Sequence, residues 1–442
     1  MIMKKTIVIL SALLALVACN KETPSVQNDG TIDASKVVFD ITINNSDDTK
    51  AVKSGWADGD KVYLFFEDVT TGYAVMEYDG SAWTPTLNGT ATLSASGKKV
   101  TAVFLPFQLG DPTYNGAAWE FSPKIPAYYM TAEAQEYTVT TDPSTDLSTL
   151  SATLDMENSE EFVQIYIPDL SIVDKRYKIY AEGLIPTWCE SIVPGGSVTA
   201  GKAAAGLPIG NIETNVGDCY FYGTVSSAIN NPTFYIVEED FTDGYAIGTR
   251  VKSITGKSLA PKAAVKFSTL PDIEHWVDID GTKWATGNVS GHIAGSGTIV
   301  APTEYGDYYS WNRLDEEGGS YDFSDMGSDT ATDLLGSDWR MPTKAEFIAL
   351  CGASGEKATW VASPTNGIMV TGDNGLVVFF PAAGLQGNGV QYDQGDYGYY
   401  WSSDLYESHD YDAYDLGFNS YYVGPDDIYD RILGFSVRPV HN

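Results

Sequence analysis

The segment KVYLFF at residues 61–66 follows an Asp58-Gly59 turn signal, and every residue in it after Lys61 is apolar. A short run of β-branched and aromatic residues behind a turn predicts a β-strand. Upstream, residues 37–43 show the period-two alternation of a half-buried strand. Downstream, apolar runs follow at residues 74–78 and 100–107. Closely spaced strands and tight turns predict a β-sandwich or barrel.

The region around this strand resembles the fimbrillin family of bacterial pilus subunits over roughly residues 35–270. The matching features are Thr49-Lys50-Ala51, Trp56, Gly59-Asp60 before KVYLFF, the pair Tyr78 and Trp83, and AVFLPF at residues 102–107. The resemblance implies two β-sandwich domains, which we expect at residues 36–154 and 155–272. It also implies that a trypsin-like protease cuts in the first strand, at Lys50 or Lys53, and that another subunit's strand then fills the groove.

The proposed second sandwich is supported by a further series of short apolar runs. They lie at residues 162–167, 177–180, 219–222, 234–237 and 264–267, and Pro271-Asp272 closes the series. Such runs at close intervals are typical of an all-β domain.

Residues 273–442 differ in composition from the preceding region, because they are rich in Tyr and Trp and contain Gly at close intervals. Residues 329–335, followed by Gly336, predict one short helix. The pair Thr343 and Glu346 forms a capping-box signature after Pro342, and Gly352 is the expected stop of a second helix. We therefore treat this part as a third domain.

Six blocks in this third domain closely resemble, in order and spacing, the FISUMP family, a branch of the C-type lectin-like fold. They are WVDIDGTKWATGNV (276–289), GDYYSW (306–311), SDWRMP (337–342), FPAAG (380–384), GYYWSS (398–403) and GFSVRPV (434–440). The resemblance implies an α+β lectin-like domain after two mainly β domains. We expect Trp284, Trp339 and Trp401 to share one core, and the strand ending in Val437 to close the sheet beside Trp276.

The N-terminus has the features of an export signal. Lys4 and Lys5 precede an apolar run at residues 7–18, which is too short for the roughly 20 residues that span a bilayer. The sequence Leu16-Val17-Ala18-Cys19 resembles a bacterial lipobox. This implies a signal peptide at residues 1–18, a lipid on Cys19, a flexible tether at residues 19–35 and an outer-membrane location. An ordinary signal with a chance cysteine is the alternative.

Charge restricts the partners that the protein can have. With 26 Lys and Arg against 59 Asp and Glu, the formal net charge is −33. This charge repels nucleic acids and anionic lipid headgroups, so we expect contact with the membrane through a lipid anchor only.

No residue pattern points to catalysis, a resident metal or a cofactor, so we expect none of the three. The four His residues do not have metal-ligand spacing, and the remaining cysteines, Cys189, Cys219 and Cys351, are too few for a disulfide scaffold. A bridge between Cys189 and Cys219 stays open. Calcium dependence also stays open, because Trp311-Asn312 resembles the start of a lectin calcium motif but is followed by Arg313. An enzyme on the lectin-like scaffold is a further alternative.

Recognition is expected in the segments between the blocks, at residues 385–396, 404–411 and 419–429. Tyr offers rigid apolar area and a hydroxyl, and Asn, Gln and His offer hydrogen bonds, which suits glycans and proteins alike. The candidate contacts are Gln386, Asn388, Gln391, Tyr392, Tyr406, His409, Tyr411, Asn419, Tyr421 and Tyr422.

These features together predict a surface lipoprotein that serves as a fimbrial tip or accessory adhesin. The chain ends in a closed domain where a polymerising subunit would keep a free donor strand, so we expect it to accept a strand from a pilus shaft subunit and to donate none. The alternative is a lipoprotein that does not polymerise and captures glycans for nutrient uptake.

Overall fold

The computed structural model describes residues 31–45, 55–107, 110–145, 147–158, 160–167, 175–215, 218–267, 269–314, 323–363 and 365–442. Cys19, Lys50 and Lys53, the predicted lipidation and cleavage sites, lie outside the described residues. Within these ranges the protein is mainly β, and neither of its two helices is long and apolar enough to cross a membrane.

The N-terminal part forms a seven-stranded sheet in the order β2-β11-β10-β7-β3-β4-β5. Its strands, with four short ones outside that sheet, are β1 (Thr31–Asp33), β2 (Val37–Asn45), β3 (Lys61–Phe66), β4 (Gly72–Tyr78), β5 (Trp83–Gly89), β6 (Thr92–Ser94), β7 (Lys99–Phe104), β8 (Thr113–Tyr114), β9 (Trp119–Glu120), β10 (Met130–Asp142) and β11 (Leu147–Asn158). The predicted strand at 61–66 is confirmed as β3. It lies inside the sheet, so its apolar residues are buried, whereas β2 lies at the edge and its exposure alternates.

The described residues begin at Thr31, inside the segment at residues 19–35 that the sequence predicts to be a flexible tether. Strand β1 pairs with β6, and Ala34, in a short 3-10 turn, is buried. Residues 31–35 therefore belong to the fold.

The middle part forms two sheets whose side chains meet in one core. The strands are β12 (Val163–Ile167), β13 (Lys175–Tyr180), β14 (Leu184–Ile192), β15 (Val198–Lys202), β16 (Ile209–Gly210), β17 (Ile212–Asn215), β18 (Asp218–Val225), β19 (Ile229–Asn230), β20 (Thr233–Asp240), β21 (Ala246–Ser253), β22 (Ser258–Leu259) and β23 (Ala264–Lys266). One sheet runs β23-β12-β18-β14-β9-β8, and the other β16-β13-β20-β21. Ile165 and Phe221 of the first pack with Ile179 and Phe234 of the second.

Two features of the pairing bear on the proposed boundary between residues 154 and 155. Strand β11 continues through it to Asn158, and the early strands β8 and β9 join the sheet of the middle part through Trp119, which pairs with Ile192. The domain boundaries therefore remain proposals.

The described residues of the C-terminal part form five small sheets and two helices. Its elements are β24 (Trp276–Ile279), β25 (Thr282–Ala285), β26 (Val289–Ser290), β27 (Thr298–Ile299), α1 (Thr330–Leu335), β28 (Trp339–Arg340), α2 (Lys344–Cys351), β29 (Ala358–Val361), β30 (Gly367–Thr371), β31 (Val377–Pro381), β32 (Leu385–Gly387), β33 (Val390–Tyr392), β34 (Tyr397–Leu405), β35 (Asp412–Asn419), β36 (Tyr422–Asp430) and β37 (Val440–His441). The main sheets are β24-β25-β37-β28, β29-β30-β31 and β34-β35-β36.

Both predicted helices are confirmed with their caps. Asp329 accepts a hydrogen bond from the backbone of Thr332 at the start of α1, and Gly336 ends it. Thr343 and Glu346 form the capping box of α2, and Gly352 ends that helix. These local side-chain to backbone bonds satisfy the free N–H groups of each first turn.

The tryptophan prediction is wrong in part, because the three rings do not share a core. Trp284 packs on Phe347 in one cluster, and Trp401 stacks on Phe435 in another. Trp339 is only partly buried. The strand that closes the sheet is β37, after Val437, and it pairs with β25 and not with β24.

The three described cysteines are free and buried, so the possible bridge between Cys189 and Cys219 does not form. The two thiols belong to different cores, which explains why they do not meet. Burial raises the pKa of both Cys189 and Cys351 to about 12.

Candidate binding surface

The sheet β34-β35-β36 is the support on which most candidate contacts are mounted. Tyr400 and Trp401 of β34, and Leu416 and Phe418 of β35, are fully or almost fully buried. The candidate residues of this sheet lie in the connections between the strands or at the strand ends, where a rigid scaffold positions them.

Three predicted contacts meet in the loop at residues 406–411. The rings of His409 and Tyr411 are stacked with centroids 5.0 Å apart, and the ring of Tyr406 lies 5.7 Å from that of His409. His409 Nδ1 also lies 3.5 Å from Asp412 Oδ2. The loop thus presents a compact aromatic cluster with one imidazole at its centre.

A second group lies in the turn between β35 and β36. Asn419 accepts a hydrogen bond from the backbone N–H of Tyr421 at 2.8 Å, and Tyr421 is 97% exposed. The Tyr422 hydroxyl donates to Asp427 Oδ1 at 2.6 Å, and this bond, with burial and the negative charge of Asp427, raises the pKa of Tyr422 to about 12. The turn therefore presents two tyrosines, one of them held in place.

The third group stands on the hairpin of β32 and β33. Its turn is Asn388-Gly389, and both residues have a positive φ, the conformation that a two-residue hairpin turn requires. Gln386 exchanges two backbone hydrogen bonds of 2.8 Å with Gly434, and Gln391 donates to the Tyr308 hydroxyl. Tyr392 is exposed.

The ten candidates therefore do not form one site. Leu405 pairs with Ala413 and Tyr397 with Asn419, which places the 406–411 loop and the 419–422 turn at opposite ends of β35. From Ala413 to Asn419 the strand rises about 20 Å. A small ligand can contact only one of these ends.

Sequence reasoning missed Arg431, which supports the aromatic loop from below. It is fully buried, and its backbone N–H donates to Tyr411 while its guanidinium donates to the Asp410 carbonyl at 2.6 Å. The only signal for it was an arginine between β36 and the last block, where a solvent-exposed charge is the ordinary expectation.

A separate aromatic pocket of about 660 Å³ lies near the start and end of the C-terminal part. Trp276, Trp339 and His441 line it, with Glu274 and His275 at its polar side. The Trp339 and His441 rings meet edge to face at 4.9 Å. Such a pocket offers an apolar ring face beside a carboxylate, a combination that suits a sugar ring.

Metal ligation by a larger group of side chains is not evident. Within the described residues, no cluster of three or more His, Cys, Asp or Glu side chains is arranged to hold a metal ion.

Comparison with known proteins gives one family match. A family described as "Domain of unknown function (DUF8237)" matches residues 360–440, from β29 into β37. No curated protein matches the chain.

Among solved structures, the fimbrial anchor protein Mfa2 from Porphyromonas gingivalis is 12% identical, with 47% of this chain and 80% of that chain covered and a TM-score of 0.21. A fimbrial protein from Bacteroides ovatus is 10% identical, with 92% of this chain and 99% of that chain covered and a TM-score of 0.22. Both scores are far below 0.5, so these likenesses carry no argument about function.

Proposed function

We propose that the protein is a cell-surface lipoprotein, anchored through Cys19, that serves as a fimbrial tip or accessory adhesin. Its C-terminal part, with a C-type lectin-like fold of the FISUMP kind, binds a glycan or a protein on another surface and performs no catalysis. The observation that carries this proposal is the position of the last strand, β37, between β25 and β28.

A strand in that position is not available to a neighbouring subunit. Val440 is fully buried, and β37 pairs on both sides, with Trp284 and with Arg340 at the level of Val440. Asn442 adds two hydrogen bonds, to Asp338 and Ser337. Donating this strand would open the sheet and expose its core, which supports the proposal that β37 is not donated.

The N-terminal end is suited to accept a strand. Strand β2 lies at the edge of the seven-stranded sheet, parallel to β11, and of its residues only Ile43 is buried. A cut at Lys50 or Lys53 would separate β2 from the rest of the chain. Its departure would leave the β11 edge open to a strand from a shaft subunit. A subunit that accepts and does not donate ends a polymer.

The test is assembly with a purified shaft subunit after trypsin-like trimming. We expect the trimmed protein to bind one end of each polymer in electron micrographs, with immunogold label at fibre tips on cells. The K50Q/K53Q double variant, which keeps its fold but is not cut there, is the matched control and should label the cell surface only. Long polymers of the trimmed protein alone would contradict the proposal.

The aromatic pocket favours a second function, capture of glycans by an intact lipoprotein that does not polymerise. In that case the uncut protein binds a polysaccharide, and Trp339→Ala weakens binding at least about fivefold because a stacking face is lost. Label on cells would then never coincide with fibres.

A further inference from the structure

A buried carboxylate in the three-stranded sheet has no protein partner. Asp415 on β35 is completely buried, and neither of its oxygens accepts a hydrogen bond from the described residues. Burying an ionised carboxylate without a partner is strongly unfavourable, so a group placed this way calls for a ligand or a proton.

A second carboxylate lies directly opposite on the neighbouring strand. Asp427 of β36 is the cross-strand partner of Asp415. Its Oδ1 accepts the Tyr422 hydroxyl, which leaves Oδ2 for another contact. Burial and the negative charge of Asp427 together raise the pKa of Asp415 well above its ordinary value. No Lys or Arg in the described part of the chain forms an ion pair with either carboxylate.

The two carboxylates approach each other beside Gly417. A Cβ on Gly417 would lie 2.5 Å from Asp427 Oδ2 and 3.5 Å from Asp415 Oδ2. Gly424 is the cross-strand partner of Gly417, and a Cβ there would lie 2.7 Å from Asp427 Oδ1. The nearest group to that Cβ is the phenol of Tyr422, so a side chain at either glycine would collide with the groups around the two carboxylates.

We propose that Asp415 and Asp427 bind a calcium ion between their facing carboxylates, beside Gly417. The ligands are hard oxygens, which favour Ca²⁺ or Mg²⁺ over softer metals. Calcium accepts irregular geometry and six to eight oxygens, whereas Mg²⁺ demands a near-ideal octahedron. Water would complete the shell on the side of Tyr422, which is 51% exposed.

The ion would neutralise two like charges and join β35 to β36. It would thereby fix the turn that carries Asn419, Tyr421 and Tyr422. With two carboxylates the affinity should be weak, with a Kd on the order of 10⁻⁴ to 10⁻³ M, as in extracellular calcium modules. This site does not depend on the adhesin proposal.

The test uses the full chain, stripped with EDTA and titrated with CaCl₂ by calorimetry at pH 7.5. We expect saturable binding in that range and a rise in thermal midpoint of about 2 °C or more at 5 mM CaCl₂. Asp427→Asn should weaken calcium binding at least about tenfold, because even the loss of a residue that only supports a metal ligand typically lowers metal affinity by that factor. Asp415→Asn should do the same.

The matched control is Asp426→Asn, which removes the same charge from the exposed neighbour of Asp427. Its affinity should fall clearly less than that of Asp427→Asn, because its exposed side chain acts on Asp427 only through its charge. If Asp415→Asn does not fold, the calcium affinity of Asp427→Asn alone tests the proposal. Absence of calcium binding, an equal response to MgCl₂, or an equal loss in Asp426→Asn would overturn the proposal. So would an Asp415→Asn variant more stable than calcium-saturated wild type, which would indicate a shared proton.

Discussion

The guanidinium of Arg431 lies 4.4 Å from the centre of the Trp311 ring, inside the C-terminal core. From this position it donates hydrogen bonds to the carbonyls of Asp410, Phe323 and Asp325. One buried cation thus joins three segments of chain beneath the aromatic loop at residues 406–411.

Replacing Arg431 by Met should therefore destabilise the protein. Methionine can fill the volume over Trp311, but it removes the donor of three carbonyl hydrogen bonds, so we expect a loss of about 2–4 kcal/mol in the free energy of unfolding. Urea unfolding of the variant and of wild type measures this difference in the free energy of unfolding. Arg176→Met is the control, because Arg176 is exposed, and its effect should stay within about 0.5 kcal/mol. Equal losses in the two variants would contradict the role of Arg431.

The separation of the candidate contacts predicts how binding responds to mutation. Tyr411 and Tyr421 lie at opposite ends of β35, so a small glycan found by array screening should be weakened by Tyr411→Ala or by Tyr421→Ala, but not by both. The affected variant should lose more than about 1 kcal/mol of binding free energy. Surface plasmon resonance measures the affinity of each variant for the glycan. Loss in both variants would indicate a large protein ligand that spans the sheet.

The ion pair before α2 predicts a pH dependence. Arg340 meets Glu346 through two hydrogen bonds of 2.5 and 2.7 Å. Burial pushes the pKa of Glu346 upward, but the bonds from Arg340 and Thr343 outweigh burial and hold the pKa below its ordinary value. The folded state therefore favours the ionised form. The ion pair of Glu346 therefore stabilises the fold fully above about pH 4.3, which is the pKa of glutamate in unfolded chains. This stabilisation is lost as the pH falls through the pKa of Glu346 in the folded protein.

We expect Glu346→Gln to be about 0.5–1 kcal/mol less stable than wild type at pH 7, with the difference vanishing in acid. Glutamine still completes a capping box, so the change isolates the ion pair. Unfolding curves between pH 7 and pH 3 test this. Glu304→Gln, at an exposed position in the same part, should follow wild type throughout. A constant difference at all pH values would contradict the assignment.

Because the cysteine thiols are buried, we expect them to react slowly with alkylating reagents. Cys189, Cys219 and Cys351 are free and buried, so a maleimide should modify none of them within minutes in the native protein and all of them after unfolding. Mass spectrometry counts the adducts. A reducing agent should leave the unfolding midpoint unchanged, and a shift would reveal a disulfide.

Local signals allowed prediction of the elements that depend on neighbouring residues. The caps at Gly336 and Thr343 and the strand at β3 follow from short-range hydrogen bonding and apolar pattern, and the structure confirms them. Pairing register does not follow from such patterns. For this reason the sequence grouped Tyr411 with Tyr421, which the register of β35 separates, and it gave no sign that Asp415 points inward.

The placement of β37 has a consequence for biogenesis. Its partners on both sides, β25 and β28, are synthesised well before Val440. The gap between them can be filled only after Val440 has left the ribosome, so this sheet completes its pairing late in biogenesis. Loss of even the final three residues, through a nonsense codon or a carboxypeptidase, would leave a core without its central strand.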